Sequence, residues 1–163
     1  VREWTGADNE VWSYGGEAYR IMVKFIRIRE RMRDYTRALM KEAHEKGTPV
    51  MRTLFYEFPE DAACWDLTDE YMFGADLLVA PICEAGEKTE PEKSGHGRGA
   101  DSEIKLGRRT ASRSVYLPAG AVWTNAHSKE RYEGGRWIDV TADIDMIPLF
   151  LRDGRQVYLL GQV

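Results

Sequence analysis

The chain has 163 residues, with 23 Lys and Arg against 27 Asp and Glu, for a net charge of −4. Removing its 8 Tyr from the 43% hydrophobic share and adding its 15 Gly gives about 47%, an ordinary globular composition, which excludes disorder throughout. The mild acid excess leaves no whole-chain footprint for nucleic acid, no apolar run is long enough to cross a bilayer, and two cysteines build no disulfide framework.

The first predicted element is one long helix over residues 17–46. Ile21, Phe25, Ile28, Met32, Tyr35 and Leu39 recur at steps of four and three, which places them on one face. Ala18, Met22 and Ala43 widen that stripe to the breadth of a core-facing helix. Arg20, Lys24, Arg27, Arg31, Arg37 and Lys41 fill the other side, interspersed with acids, and read as a solvated face. Arg29, at the edge of the stripe, is expected in a buried or half-buried ion pair. Gly47 and Pro49 end the helix.

Residues 50–55 read as a short strand, and the order helix, tight turn, strand is that of α/β layering. From Thr53 to Glu87 there is no Lys or Arg, while Glu57, Glu60, Asp61, Asp66, Asp69, Glu70 and Asp76 crowd the stretch. A helical turn is predicted at 68–73, ended by Gly74, and a buried strand at 77–82. Residues 84–113 are dominated by Gly, Ser, Lys, Glu and Arg and are predicted to form a flexible surface insertion.

Beyond it the pattern is β. A strand at 114–117 is stopped by Pro118-Ala119-Gly120. Trp123, Tyr132, the Gly134-Gly135 turn and residues 136–140 suggest a hairpin. Short strands at 147–151 and 156–160 flank Asp153-Gly154. Such spacing argues for an antiparallel sheet or sandwich. The chain is thus expected to divide near residue 83, α/β before it and all-β after.

Few residues announce chemistry. His44, His96 and His127 sit singly, without the spacing of a helical metal site, and no metal or cofactor is expected. GxSxG, P-loop and GxGxxG signatures are absent. Glu57 and Asp61 follow a strand end, and paired carboxylates do acid and base work on sugars, though loop acids are more often solvated. Trp123, Tyr132 and Trp137 form either a sugar-stacking platform or, more commonly at strand spacing, part of the core.

Longer motifs carry a resemblance. Gly47-Thr48-Pro49-Val50-Met51-Arg52, Glu57-Phe58-Pro59-Glu60-Asp61 and Tyr71-Met72-Phe73-Gly74-Ala75-Asp76-Leu77-Leu78-Val79-Ala80-Pro81 follow in order. Val115-Tyr116-Leu117-Pro118-Ala119-Gly120, Tyr132-Glu133-Gly134-Gly135 and Ile147-Pro148-Leu149-Phe150-Leu151-Arg152-Asp153-Gly154 continue the series. Together they resemble the family 31 glycoside hydrolases, the α-glucosidases and α-xylosidases. Thr53 stands where that family usually has proline, and Arg2-Glu3-Trp4 lacks the proline of its R-E-P-W.

The resemblance implies the last strand and helices of a (β/α)8 barrel over residues 1–83, the insertion at 84–113, and the start of an antiparallel β-sandwich at 114–163. It implies a retaining enzyme with two aspartates. Neither the nucleophile's setting, W-x-D followed shortly by N-E, nor the acid/base's G-D-N occurs in these residues. No catalytic residue is therefore expected here, and the chain alone is expected to be inactive. Arg52, Phe55 and Asp61, at the end of the last strand, are the candidates for lining or supporting the barrel mouth, with a structural role the alternative for each and an internal ion pair the favoured one for Arg52. The implied partner is an α-glucoside or α-xyloside, with no nucleic acid and no membrane, and self-association is left open. The competing reading is a non-catalytic carbohydrate-binding or interaction module.

Overall fold

The apolar stripe predicted over residues 17–46 forms two helices, not one. In the computed structural model, which describes residues 10–84, 87–88 and 109–163, α1 (Gly16–Arg31) and α2 (Arg33–Lys46) meet at Met32. Met32 has a ψ of 3° where a helix wants about −42°. Its N–H nevertheless reaches Ile28 O at 3.0 Å, and its carbonyl accepts from Thr36 at 2.8 Å. The break bends the rod without ending it, and Ile28 and Leu39 on either side are both buried. Arg29, expected in a buried ion pair, is exposed instead, because one residue of helix turns it about 100° away from buried Ile28. Gly47, at φ +71°, closes α2 by donating to Ala43 O at 2.9 Å.

Only Met51–Arg52 of the strand predicted at 50–55 pairs in a sheet, as β1; after extended Thr53 the chain coils into a helical turn, α3 (Leu54–Glu57). Residues 68–73, predicted as a helical turn, hold β2 (Tyr71–Phe73), in which Met72 is buried between two half-buried neighbours. A three-residue alternation is too short for its period to be read from sequence. Gly74, at φ +63°, turns the chain into β3 (Leu77–Val79). A Cβ there would lie 2.2 Å from the Tyr35 hydroxyl. That hydroxyl donates to Phe73 O at 2.9 Å and accepts from Asp76 N–H at 3.3 Å, so α2 sits directly on the β2–β3 turn.

Of the predicted insertion, β4 (Glu87–Lys88) and the first residues of β5 (Arg109–Leu117) are paired strands. Residues 1–9, 85–86 and 89–108, which include Arg2-Glu3-Trp4, His96 and most of that insertion, lie outside the described residues. The strands β6 (Val122–Asn125), β7 (Arg131–Glu133), β8 (Arg136–Asp143) and β9 (Leu149–Arg152) follow. Gly134-Gly135 does not make the expected hairpin. β7 pairs back onto β6, with Trp123 opposite Tyr132, while β8 crosses to β5, with Tyr116 opposite Trp137. Residues 156–160, predicted as a strand, hold a single 3-10 turn, Val157–Leu159, preceded by Gln156 at φ +54°.

The strands form a six-stranded sheet, β1-β2-β3-β9-β6-β7, and a three-stranded sheet, β4-β5-β8. Every strand pair among the described residues is antiparallel, and β1, where the last barrel strand was expected, pairs antiparallel with β2, so the barrel itself is not seen here. Successive residues of a strand face opposite ways. Leu78 and Phe150 join Met72, Trp123, Val115 and Leu117 in one cluster between the sheets. Leu77, Val79, Leu149 and Leu151 join Ile28, with Phe25, Met32 and Tyr35 packed against them. The result is three layers: helices, large sheet, small sheet. A middle layer covered on both faces explains why 77–79 and 149–151 read as unbroken apolar runs. Leu78 of β3 pairs with Phe150 of β9, so one sheet runs across the boundary expected at residue 83.

Candidate functional site

Arg52 ends β1 and is 6% exposed. A buried guanidinium needs compensating charge, and Arg52 has it from two sides. Its Nη1 donates to Glu57 at the end of α3, and its Nη2 lies 3.7 Å from the Glu42 carboxylate on α2. Its Nε donates to Pro49 O at 2.6 Å. The second oxygen of Glu57 lies 3.5 Å from Nη1 of Arg152, at the end of β9. Arg152 rests over the Phe58 ring, 4.6 Å from its centroid. Its Nε stands 3.6 Å from the Asp153 carboxylate, too far for a hydrogen bond. One carboxylate thus ties the strand that opens the large sheet to the strand that closes the chain's apolar middle.

Phe55, on the same helical turn, faces outward and stacks on Trp65, with ring centroids 4.9 Å apart and planes at 14°. Trp65 closes a 3-10 turn, Ala62–Trp65, and is 57% exposed. Its Nε1–H donates to Pro59 O at 3.0 Å, which fixes the indole edge. Asp61 opens that turn, accepting from Ala63 N–H at 3.2 Å. The same carboxylate accepts from the Tyr116 hydroxyl at 2.9 Å and from Ala119 N–H at 2.8 Å. Burial, helped by the bond to Asp61, pushes the Tyr116 phenol up to about 12. In the same corner burial, then the charges of Asp61 and Glu70, push the Cys64 thiol up to about 12. A thiol so raised stays protonated and is no nucleophile.

The three predicted residues therefore separate. Arg52 precedes α3 and is buried, Phe55 sits within it and faces outward, whereas Asp61 turns toward β5 and joins it to the acidic loop. Glu57 and Asp61, suspected as an acid and base pair, are both engaged, the first by two arginines and the second by Tyr116 and two amides. Of the two readings of Trp123, Tyr132 and Trp137, the platform does not form: Trp123 is fully buried against Phe58, Tyr132 packs against the same core, and Trp137 belongs to the other sheet. Sequence reasoning missed Trp65, whose only signal was an aromatic inside a run free of Lys and Arg. A cleft of about 400 Å³ beside α1 is lined by Arg20, Lys24 and Asp145, and its Lys24 is already bonded to Asp145 O at 2.8 Å. Among the described residues no group of three or more His, Cys, Asp or Glu is placed to hold a metal ion.

The sequence profile of the glycosyl hydrolase family 31 C-terminal domain matches residues 47–94 and 103–157. The chain is 33% identical to alpha-glucosidase 2 of Bacillus thermoamyloliquefaciens over 150 residues, which is 92% of this chain and 16% of that protein. Its fold matches that of a family 31 α-xylosidase from a soil metagenome, solved with xylose, at a TM-score of 0.77 and 40% identity, over 95% of this chain and 20% of the other. A family 31 dextranase from Flavobacterium johnsoniae, solved with isomaltotriose, matches at a TM-score of 0.70 and 31% identity, over 91% of this chain and 16% of its own. The chain spans about a sixth to a fifth of the length of these relatives. Because the profile covers well over half of the residues and takes in strands of both sheets, the chain belongs to glycosyl hydrolase family 31.

Proposed function

We propose that these residues form part of a retaining α-glycosidase that releases xylose or glucose from the non-reducing end of an α-linked substrate. The observation that carries this reading is the match, at 40% identity over 95% of the chain, to an α-xylosidase solved with xylose. Retention needs a nucleophile and an acid/base held about 5 to 5.5 Å apart. Glu57 and Asp61 are committed to internal partners, which supports assigning both catalytic groups to other parts of the whole protein. On this reading residues 1–83 are the C-terminal end of a (β/α)8 barrel, 114–163 begin the β-sandwich that follows it, and Arg52, Phe55 and Asp61 support or line the barrel mouth. Phe55 is the one of the three whose side chain is open to solvent, and so the one able to meet a sugar directly.

The test is an assay of the whole protein on p-nitrophenyl α-xyloside and α-glucoside, with the anomer of the first product followed by NMR. Turnover with the α-anomer released is the expected result, and the 163-residue chain alone is expected to give none. Failure of the whole protein on both substrates, or an inverted product, overturns the assignment. Sustained turnover by the chain alone overturns its inactivity.

A further inference from the structure

We infer that the stacked Phe55–Trp65 ring pair is a carbohydrate-binding surface, a platform on which the face of a pyranose ring lies. The inference deepens the glycosidase reading and rests on it for the choice of sugar.

The geometry has three parts. First, Phe55 covers one face of the Trp65 indole at 4.9 Å and 14°, and Trp65 as a residue is still 57% exposed, which leaves the second face to solvent. No other ring pair among the described residues lies parallel: Tyr116 and Trp137, for example, meet at 56°. Second, the platform is held before any ligand arrives. The indole N–H is fixed on Pro59 O at 3.0 Å, Asp61 opens the turn that carries Trp65, and Glu57 pins the turn that carries Phe55 between Arg52 and Arg152. A surface that needs no ordering on binding keeps more of its contact free energy.

Third, the surroundings select the ligand. Residues 54–86 carry no Lys or Arg, and of the acids there, exposed Glu60 lies between the two rings in sequence and exposed Asp66 follows Trp65. Carboxylates repel phosphates and nucleic acid, and two rings are too small a patch for a lipid surface. A neutral ligand with hydroxyls to donate to carboxylates and a C–H face to lay on an aromatic ring satisfies both features. A pyranose has this chemistry.

Two measurements test the inference. In the 15N-labelled 163-residue chain, isomaltotriose is titrated while the indole N–H resonances are followed, that of Trp65 being assigned through Trp65→Phe. A saturable shift of the Trp65 signal, with Trp12 and Trp137 unmoved, is expected; no shift at tens of millimolar sugar overturns the platform. In the whole protein, Trp65→Ala is expected to raise KM for an α-linked oligosaccharide about tenfold while leaving KM for the aryl monosaccharide unchanged. Trp65→Phe, which keeps a ring face, is expected to restore most of the loss. An equal change on both substrates, or a lower melting temperature with no KM split, would mean that the rings pack against the rest of the protein, and the inference falls. If the whole protein cleaves neither substrate, the glycosidase reading fails and the titration alone decides the platform.

Discussion

Glu70 enters the interior just ahead of β2, where its Oε1 accepts from Tyr116 N–H at 2.9 Å and from Arg113 Nη2 at 3.3 Å. Its Oε2 is buried without a hydrogen-bond partner. Arg113 is shared, since it also donates to the Asp69 carboxylate at 2.7 Å. Burial dominates, with the neighbouring Asp69 adding to it, and the carboxyl is pushed up to about 7 against the pull of Tyr116 N–H and Arg113. A folded-state value above the unfolded one means the native state holds the proton more tightly. The stability this group contributes is complete below pH about 4.5 and is lost as pH rises through about 7. Unfolding free energies from urea titrations at pH 5 and pH 8 should therefore differ more for the native chain than for Glu70→Gln, by on the order of 1–3 kcal/mol. Equal pH dependence in the two proteins would remove Glu70 as the cause.

The crossing between the sheets depends on two glycines for different reasons. Gly135 sits at φ +78° and donates to Leu117 O at 2.7 Å. A Cβ on Gly134 would lie 1.9 Å from Pro118 O, a backbone atom that cannot swing aside. Gly134→Ala is thus expected to cost on the order of 3 kcal/mol or more. Gly154→Ala, at φ +69° with nothing within 4 Å, should cost only about 1–2 kcal/mol. Thermal denaturation of the pair checks this, and similar losses would refute the clash. Gly134-Gly135 is legible as a turn but not as a crossing between sheets, because a turn motif does not say which strands it joins. The same limit runs through the other elements. The helical stripe was legible because six residues repeat one period, whereas β2 has three residues and no period to read. Within the candidate site Arg52 was legible as an ion-pairing residue at a strand end. The Phe55–Trp65 stack was not, since it brings together two four-residue turns, each too short to show a period.

Across the whole molecule the large sheet unites residues from both sides of the division the sequence suggested. Leu77 pairs with Leu151, and both reach the helix layer, while Leu78 and Phe150 of the same strands reach the small sheet, so the large sheet couples the two clusters. Far-ultraviolet dichroism, dominated by α1 and α2, and near-ultraviolet dichroism, with Trp123 between the sheets, should therefore report one coincident urea transition. Separate midpoints would mean that the helices detach on their own. The pairing of β3 with β9 also sets the order of events on the ribosome. Leu151 is made 74 positions after Leu77, a wait of roughly 4–15 s at ordinary rates of synthesis. Through that interval the β2–β3 hairpin shows the cell an apolar edge, Leu77-Leu78-Val79, with its carbonyls and amides unpaired on one side. Nascent chains of this protein should be clients of a hydrophobe-binding chaperone until β9 emerges.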